Sequence, residues 1–161
     1  MSLAMDGSRM KTYLAALALA LVAVAASAQP TDNARLAAAR AAWKAAAFGD
    51  YEYGYQKYCE CHRDAPPETI VTVRGGTVVG VRHKMTGAAT DVPAPRNLEY
   101  YWTIDGLFDL VDSALGRGAA TVRASYDPQR GYPTQIYVDY DADFIGDELD
   151  VRITTVTALA R

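Results

Sequence analysis

The residues best suited to chemistry are Cys59, Cys61 and His62, packed into the tetrad Cys59-Glu60-Cys61-His62. These two cysteines are the only ones in 161 residues, and a second histidine, His83, follows further along. Thiols and imidazoles at this spacing support three chemistries: a disulfide, a reactive thiol pair, or a soft metal site. In an oxidising compartment an even cysteine count favours the disulfide. On a straight strand, residues two apart have Cα atoms about 6.7 Å apart, at the upper edge of disulfide geometry. A Cys59–Cys61 bond therefore needs a local bend, and Pro66-Pro67 lie close enough to end the strand. A loop this small restrains little of the unfolded chain, so the bond would fix a kink rather than add much stability. Strain would make it easier to reduce, which leaves a thiol-redox role open. The metal reading joins Cys59, Cys61 and His62 to His83 across a three-strand meander, as ligands for zinc or copper. The outer strands of a meander lie about 9–10 Å apart, so two exposed strand-end histidines are the plainer reading.

A second cluster is acidic. Asp139, Asp141 and Asp143 carry the 1-3-5 spacing of a calcium loop. The match fails at position six, where Phe144 replaces glycine, and at position twelve, where Asp150 replaces a bidentate glutamate. A charged hairpin turn explains the stretch better. Hydrolytic catalysis has little to stand on, since Ser113 and Ser125 sit in a helical and a strand pattern and neither occupies a Gly-x-Ser-x-Gly elbow. A Cys–His nucleophile lacks any recognisable oxyanion hole, and no phosphate loop or dinucleotide fingerprint is present. The sequence thus points away from an enzyme and calls for no cofactor.

The compartment follows from the first residues. Arg9 and Lys11 precede an uncharged apolar run, Leu14 to Ala26, and Ala26-Ser27-Ala28 then offers a small-x-small exit. The run is well short of the ~20 residues that span a bilayer. The reading is a signal peptide over residues 1–28, cleaved after Ala28, with export to the periplasm or beyond; Met10 is an alternative start. The remaining 133 residues, 29–161, suit one domain. The signal takes two basic and one acidic residue from totals of 16 and 19, leaving a net charge of −4. So mildly acidic a surface gives no reason to bind nucleic acid or anionic lipid.

The elements expected to position these residues alternate in type. Asp32 caps a helix with Leu36, Ala39, Trp43, Ala46 and Ala47 on one stripe, closed by Gly49. Tyr51, Tyr53 and Tyr55 alternate as one face of a strand, and Thr69–Arg74 and Thr77–His83 flank Gly75-Gly76 as a hairpin. Gly87 to Pro95 reads as a polar loop and a candidate rim. Thr103 caps a second helix bearing Ile104, Leu107, Phe108, Val111 and Leu115, ended by Gly116 and Gly118. Ala120–Tyr126, Thr134–Tyr140 and an alternating stretch through Leu149, Val151 and Ile153 complete three more strands. The order αβββ-αβββ predicts an α+β two-layer sandwich, an antiparallel sheet with both helices on one face. Two similar halves suggest a duplicated unit, and the other sheet face is expected to be open and partly tyrosine-lined.

The arrangement resembles a family of small exported bacterial proteins built on a domain of unknown function. The residues that carry the likeness are Tyr53, the Cys59-x-Cys61 pair and the Val71/Val73-Gly75-Gly76-Val78 hairpin. Thr103-Ile104-Asp105 before Leu107-Phe108, Tyr126-Asp127 with Gly131-Tyr132-Pro133-Thr134, and Asp139 before Asp147-Glu148 complete it. The resemblance implies a shared fold and the cysteine pair, and no activity. Many relatives resemble lipoproteins, whereas Gln29 follows Ala28 here, so a lipid anchor does not carry over. The leading expectation is a non-catalytic periplasmic or secreted binding or structural module with a Cys59–Cys61 disulfide. It would meet an envelope protein or ligand at the open sheet face. The alternative is a thiol-redox or metal-handling protein using Cys59 and Cys61 with His62 and His83.

Overall fold

The computed structural model describes residues 31–58, 68–84, 92–93 and 98–160. The expected signal segment and Cys59, Cys61 and His62 lie outside these residues. Helix α1 spans Asp32–Ala45, and the cap is Thr31 rather than Asp32: the Thr31 hydroxyl accepts from the Ala34 N–H at 3.3 Å. Asp32 instead sits in the first turn, where its charge favours the helix N-terminus. The helix ends before its expected stop, because Ala46 is already the C-cap and Ala47 turns left-handed at φ 51. Leu36, Ala39 and Trp43 form its buried stripe.

Strand β1 (Tyr51–Tyr58) follows, then the hairpin of β2 (Thr69–Arg74) and β3 (Thr77–His83) and a two-residue edge strand β4 (Val92–Pro93). Gly75 and Gly76 both take positive φ, as a two-residue hairpin turn demands. A 3-10 turn at Leu98–Tyr100 leads to helix α2 (Ile104–Arg117), capped by Thr103 as expected and closed by left-handed Gly118. Gly116 lies inside the helix. Ile104, Leu107, Phe108, Val111 and Ala114 are its buried side. Strands β5 (Thr121–Tyr126), β6 (Pro133–Asp139) and β7 (Leu149–Ala158) finish the fold.

All neighbours pair antiparallel, in the order β4-β3-β2-β1-β7-β6-β5. Both helices pack on one face of this sheet, so the expected α+β two-layer arrangement holds. The duplication does not. With β1 pointing up, β2 lies to one side of it; with β5 turned to point up, β6 lies to the opposite side. No rotation that keeps the helices on one face superposes the two meanders, so the halves have opposite hand.

Alternation along each strand sends Tyr51, Tyr53, Tyr55, Val71, Val73, Ile136, Val138, Val151 and Ile153 to the helix side, where all are buried. At ~1.5–3 kcal/mol per large apolar side chain, this layer dominates the fold's stability. Trp43 of α1 stacks on Phe48 at 5.0 Å and meets Tyr51 and Tyr132 edge-on at 5.3 and 6.4 Å. The β5–β6 turn seats α1 from outside. Its Gly131, at φ +79, lies so close that a Cβ there would come 2.2 Å from the Ala39 carbonyl oxygen.

Candidate functional site

The helix layer leaves the β2–β3 side of the sheet to the segment around the 3-10 turn, and a cleft opens there. Three tyrosines of β1 explain its shape. They are spaced two residues apart, so their rings point the same way at intervals of about 7 Å. The Tyr51 hydroxyl accepts from the Ile104 N–H at 3.0 Å, and the Tyr53 hydroxyl donates to the Trp102 carbonyl. These two bonds pin the chain where it enters α2. The third hydroxyl, of Tyr55, is buried and has no hydrogen-bond partner among the described residues. Its ring stands edge-on to Tyr101 at 5.5 Å and tilted to Trp102 at 6.5 Å.

The cleft encloses about 330 Å³, lined by the aromatic Tyr55, Tyr100, Tyr101 and Trp102 and by Lys57, Thr69, His83 and Glu99. Tyr55, Thr69 and His83 form one cross-strand row over β1, β2 and β3. Burial pushes the Tyr51 phenol up to about 12 and those of Tyr53 and Tyr55 well above their ordinary value. Tyr55 therefore stays protonated at neutral pH and presents a hydrogen-bond donor rather than a base.

His83 is the one described histidine, and it is already engaged: its Nδ1 lies 3.1 Å from the Thr69 hydroxyl. Its partners in the metal reading, Cys59, Cys61 and His62, are outside the described residues. The acidic stretch forms the expected turn between β6 and β7, but its carboxylates do not converge. Asp141 accepts from the Asp143 N–H at 3.0 Å, while Asp139 and Asp147 each keep a buried oxygen without a partner among the described residues. Among the described residues no group of three His, Cys, Asp or Glu side chains could hold a metal ion.

The uncovered sheet face is partly tyrosine-lined, as expected. The Tyr51, Tyr53 and Tyr55 series points into the core, and the open face carries Tyr58 and Tyr137 under arginines. Arg123 lies over the Tyr137 ring at 4.4 Å and Arg152 over Tyr58 at 4.5 Å. Arg82 grips Glu52 with two bonds of 2.6 and 2.8 Å, and chiefly this hydrogen bonding holds the Glu52 carboxyl below its usual range. A broader hollow of about 610 Å³ at the β5 edge is lined mainly by polar side chains of both layers. There Arg35 donates to the Ala124 carbonyl at 3.2 Å, tying α1 to β5.

The sequence reading missed the cleft. A run of three aromatics, Tyr100-Tyr101-Trp102, directly before the helix cap at Thr103 was its available signal. Fold and cleft together define a small α+β protein with an antiparallel sheet, two helices on one side and an aromatic recess beside the second. The chain belongs to DUF6174, a family of unknown function, whose pattern matches residues 35–158. No curated protein and no solved structure matches the chain. Among the described residues no helix is long and apolar enough to cross a membrane.

Proposed function

We propose that this protein is an exported, non-catalytic binding module whose ligand seat is the aromatic cleft beside α2. The observation that carries the reading is the buried Tyr55 hydroxyl, which has no partner among the described residues. Leaving a buried donor unsatisfied costs about 1–3 kcal/mol, and a ligand that accepts its hydrogen bond recovers this. The aromatic walls favour a molecule with a flat ring face, and Lys57 adds a cation to the rim. The ligand class is therefore a small ring-bearing compound with an acceptor oxygen, such as a sugar or an aromatic acid. Export through the segment ending at Ala28, and a Cys59–Cys61 disulfide close after β1, complete the proposal. The apolar run and small-residue exit support the first, and the even cysteine count in an oxidising compartment supports the second.

The test is a panel of monosaccharides and aromatic carboxylates titrated into the purified protein, read by tryptophan fluorescence and melting temperature. Binding that Tyr55→Phe weakens tenfold or more, with the fold intact, supports the cleft. Binding indifferent to Tyr55→Phe and Trp102→Ala, or no binding to any compound, removes it. Intact mass with and without reduction tests the rest. A start at Gln29 and two missing hydrogens are expected, and a retained apolar segment or free thiols would refute those parts.

A further inference from the structure

The turn between β6 and β7 holds a different kind of surface. Phe144 is 62 % and Ile145 84 % exposed, and Tyr140 at the turn's base is 38 % exposed. Single exposed apolar residues are ordinary, but two adjacent ones at the tip of an ordered turn are not. The tip is built rather than loose. Asp141 takes the Asp143 N–H on its side chain and the Phe144 N–H on its carbonyl, both at 3.0 Å. Glu148 accepts from Gly146 N–H at 2.8 Å, with Gly146 at φ +104 closing the bend. A turn shaped in advance loses less freedom on binding.

The turn's own charges are of one sign, with Asp150 at its far end paired to Arg152 at 3.9 Å. From Asp139 to Asp150 the chain carries six acidic residues and no basic one. That rim repels an anionic bilayer and a second copy of the same tip, and attracts a basic surface.

We propose that Phe144 and Ile145 are a docking tip for a partner protein whose surface couples lysine or arginine side chains to an apolar seat. The aromatic–aliphatic pair supplies the anchor, and the surrounding carboxylates choose the partner and speed its approach. The contact area is small, so the complex is of the weak, rapidly exchanging kind. The tip and the cleft are built by different elements, so either proposal stands without the other.

The experiment presents the full chain to a phage-displayed random peptide library, with Phe144→Ser/Ile145→Ser as the counter-target. Both side chains are exposed, so the variant's melting temperature should equal that of the parent. The expected result is a family of basic peptides with apolar residues, binding the parent at least tenfold better than the variant. Asp141→Asn/Asp143→Asn should weaken the same peptides, and added salt should erase that difference. Selected peptides that are neutral or acidic, or that bind the variant equally, would overturn the proposal, as would recovering none. So would tip-dependent binding to vesicles containing phosphatidylglycerol, or self-association that the variant abolishes.

Discussion

Raising the pH should unfold this protein cooperatively, because its core is stitched by tyrosines that resist ionisation while folded. Tyr51 is displaced from 10.0 to about 12, and Tyr53 and Tyr55 are displaced upward as well. The sign follows from linkage. Below pH 10 these phenols are protonated in both states and stability does not depend on them. Above pH 10 the unfolded chain releases protons that the folded chain retains, so stability falls until the folded pKa is passed. Each phenol removes about 1.4 kcal/mol per pH unit in that window. Three together remove about 4 kcal/mol at pH 11, against roughly 5–15 kcal/mol for a typical domain. Tyr126, also pushed up to about 12, adds to the slope. Tyrosinate absorbance and far-ultraviolet circular dichroism, followed together from pH 9 upward, read the effect. A single step in both signals between about pH 11 and 12 is expected, and Tyr53→Phe should broaden it. Smooth ionisation of every tyrosine around pH 10 with secondary structure intact would refute the reasoning.

Other outcomes follow from single contacts. Gly131→Ala combines a left-handed backbone with a Cβ thrust against α1, and should cost about 2–5 kcal/mol in denaturant melts; a loss under 1 kcal/mol would show that the turn can retreat from the helix. Tyr53→Phe leaves the Trp102 carbonyl without its donor and should lose about 1–2 kcal/mol, whereas Tyr55→Phe removes a hydroxyl with no partner among the described residues and should be neutral or slightly stabilising. Equal losses at the two positions would contradict the division of labour drawn along β1. Glu52 has a depressed carboxyl pKa, so its contribution is present above its ordinary 4.5 and is lost as the pH falls through the lower folded value. Glu52→Gln should flatten that acid limb by no more than about 1 kcal/mol, since the pair is partly exposed. An acid limb unchanged in the variant would assign it to other carboxylates.

Local signals were the legible ones. Helix α2 was readable from Thr103 to Gly118 because cap, apolar stripe and left-handed glycine all agree. The β2–β3 hairpin was readable because Gly75-Gly76 admits one turn geometry. Helix α1 was misjudged at both ends: a threonine capped it in place of the neighbouring aspartate, and an alanine rather than Gly49 took the left-handed position. Alternation in Tyr51, Tyr53 and Tyr55 marked a face but not which face, since the period of two carries no sign. That sign came from α1 and α2, which cover those rings. The cleft joins Tyr55 to Tyr101 and Trp102, more than forty positions along, and pairings of that range leave no local trace. The hand of the two halves likewise depends on which strands meet at the seam.

That seam has a consequence for how the molecule comes into being. The central pair of the sheet joins β1 to β7, the first described strand to the last, and Leu159 N–H closes on the Asp50 carbonyl at 2.9 Å. Neither meander can bury its inner edge until the other end of the chain arrives. Contacts this distant in sequence form slowly, and a nascent chain lacking β7 leaves the inner edges of β1 and β6 unpaired. The fold therefore completes only after β7 is made and free. Under the export proposed above, such late closure would keep the chain compliant during passage and delay the finished core to the far side.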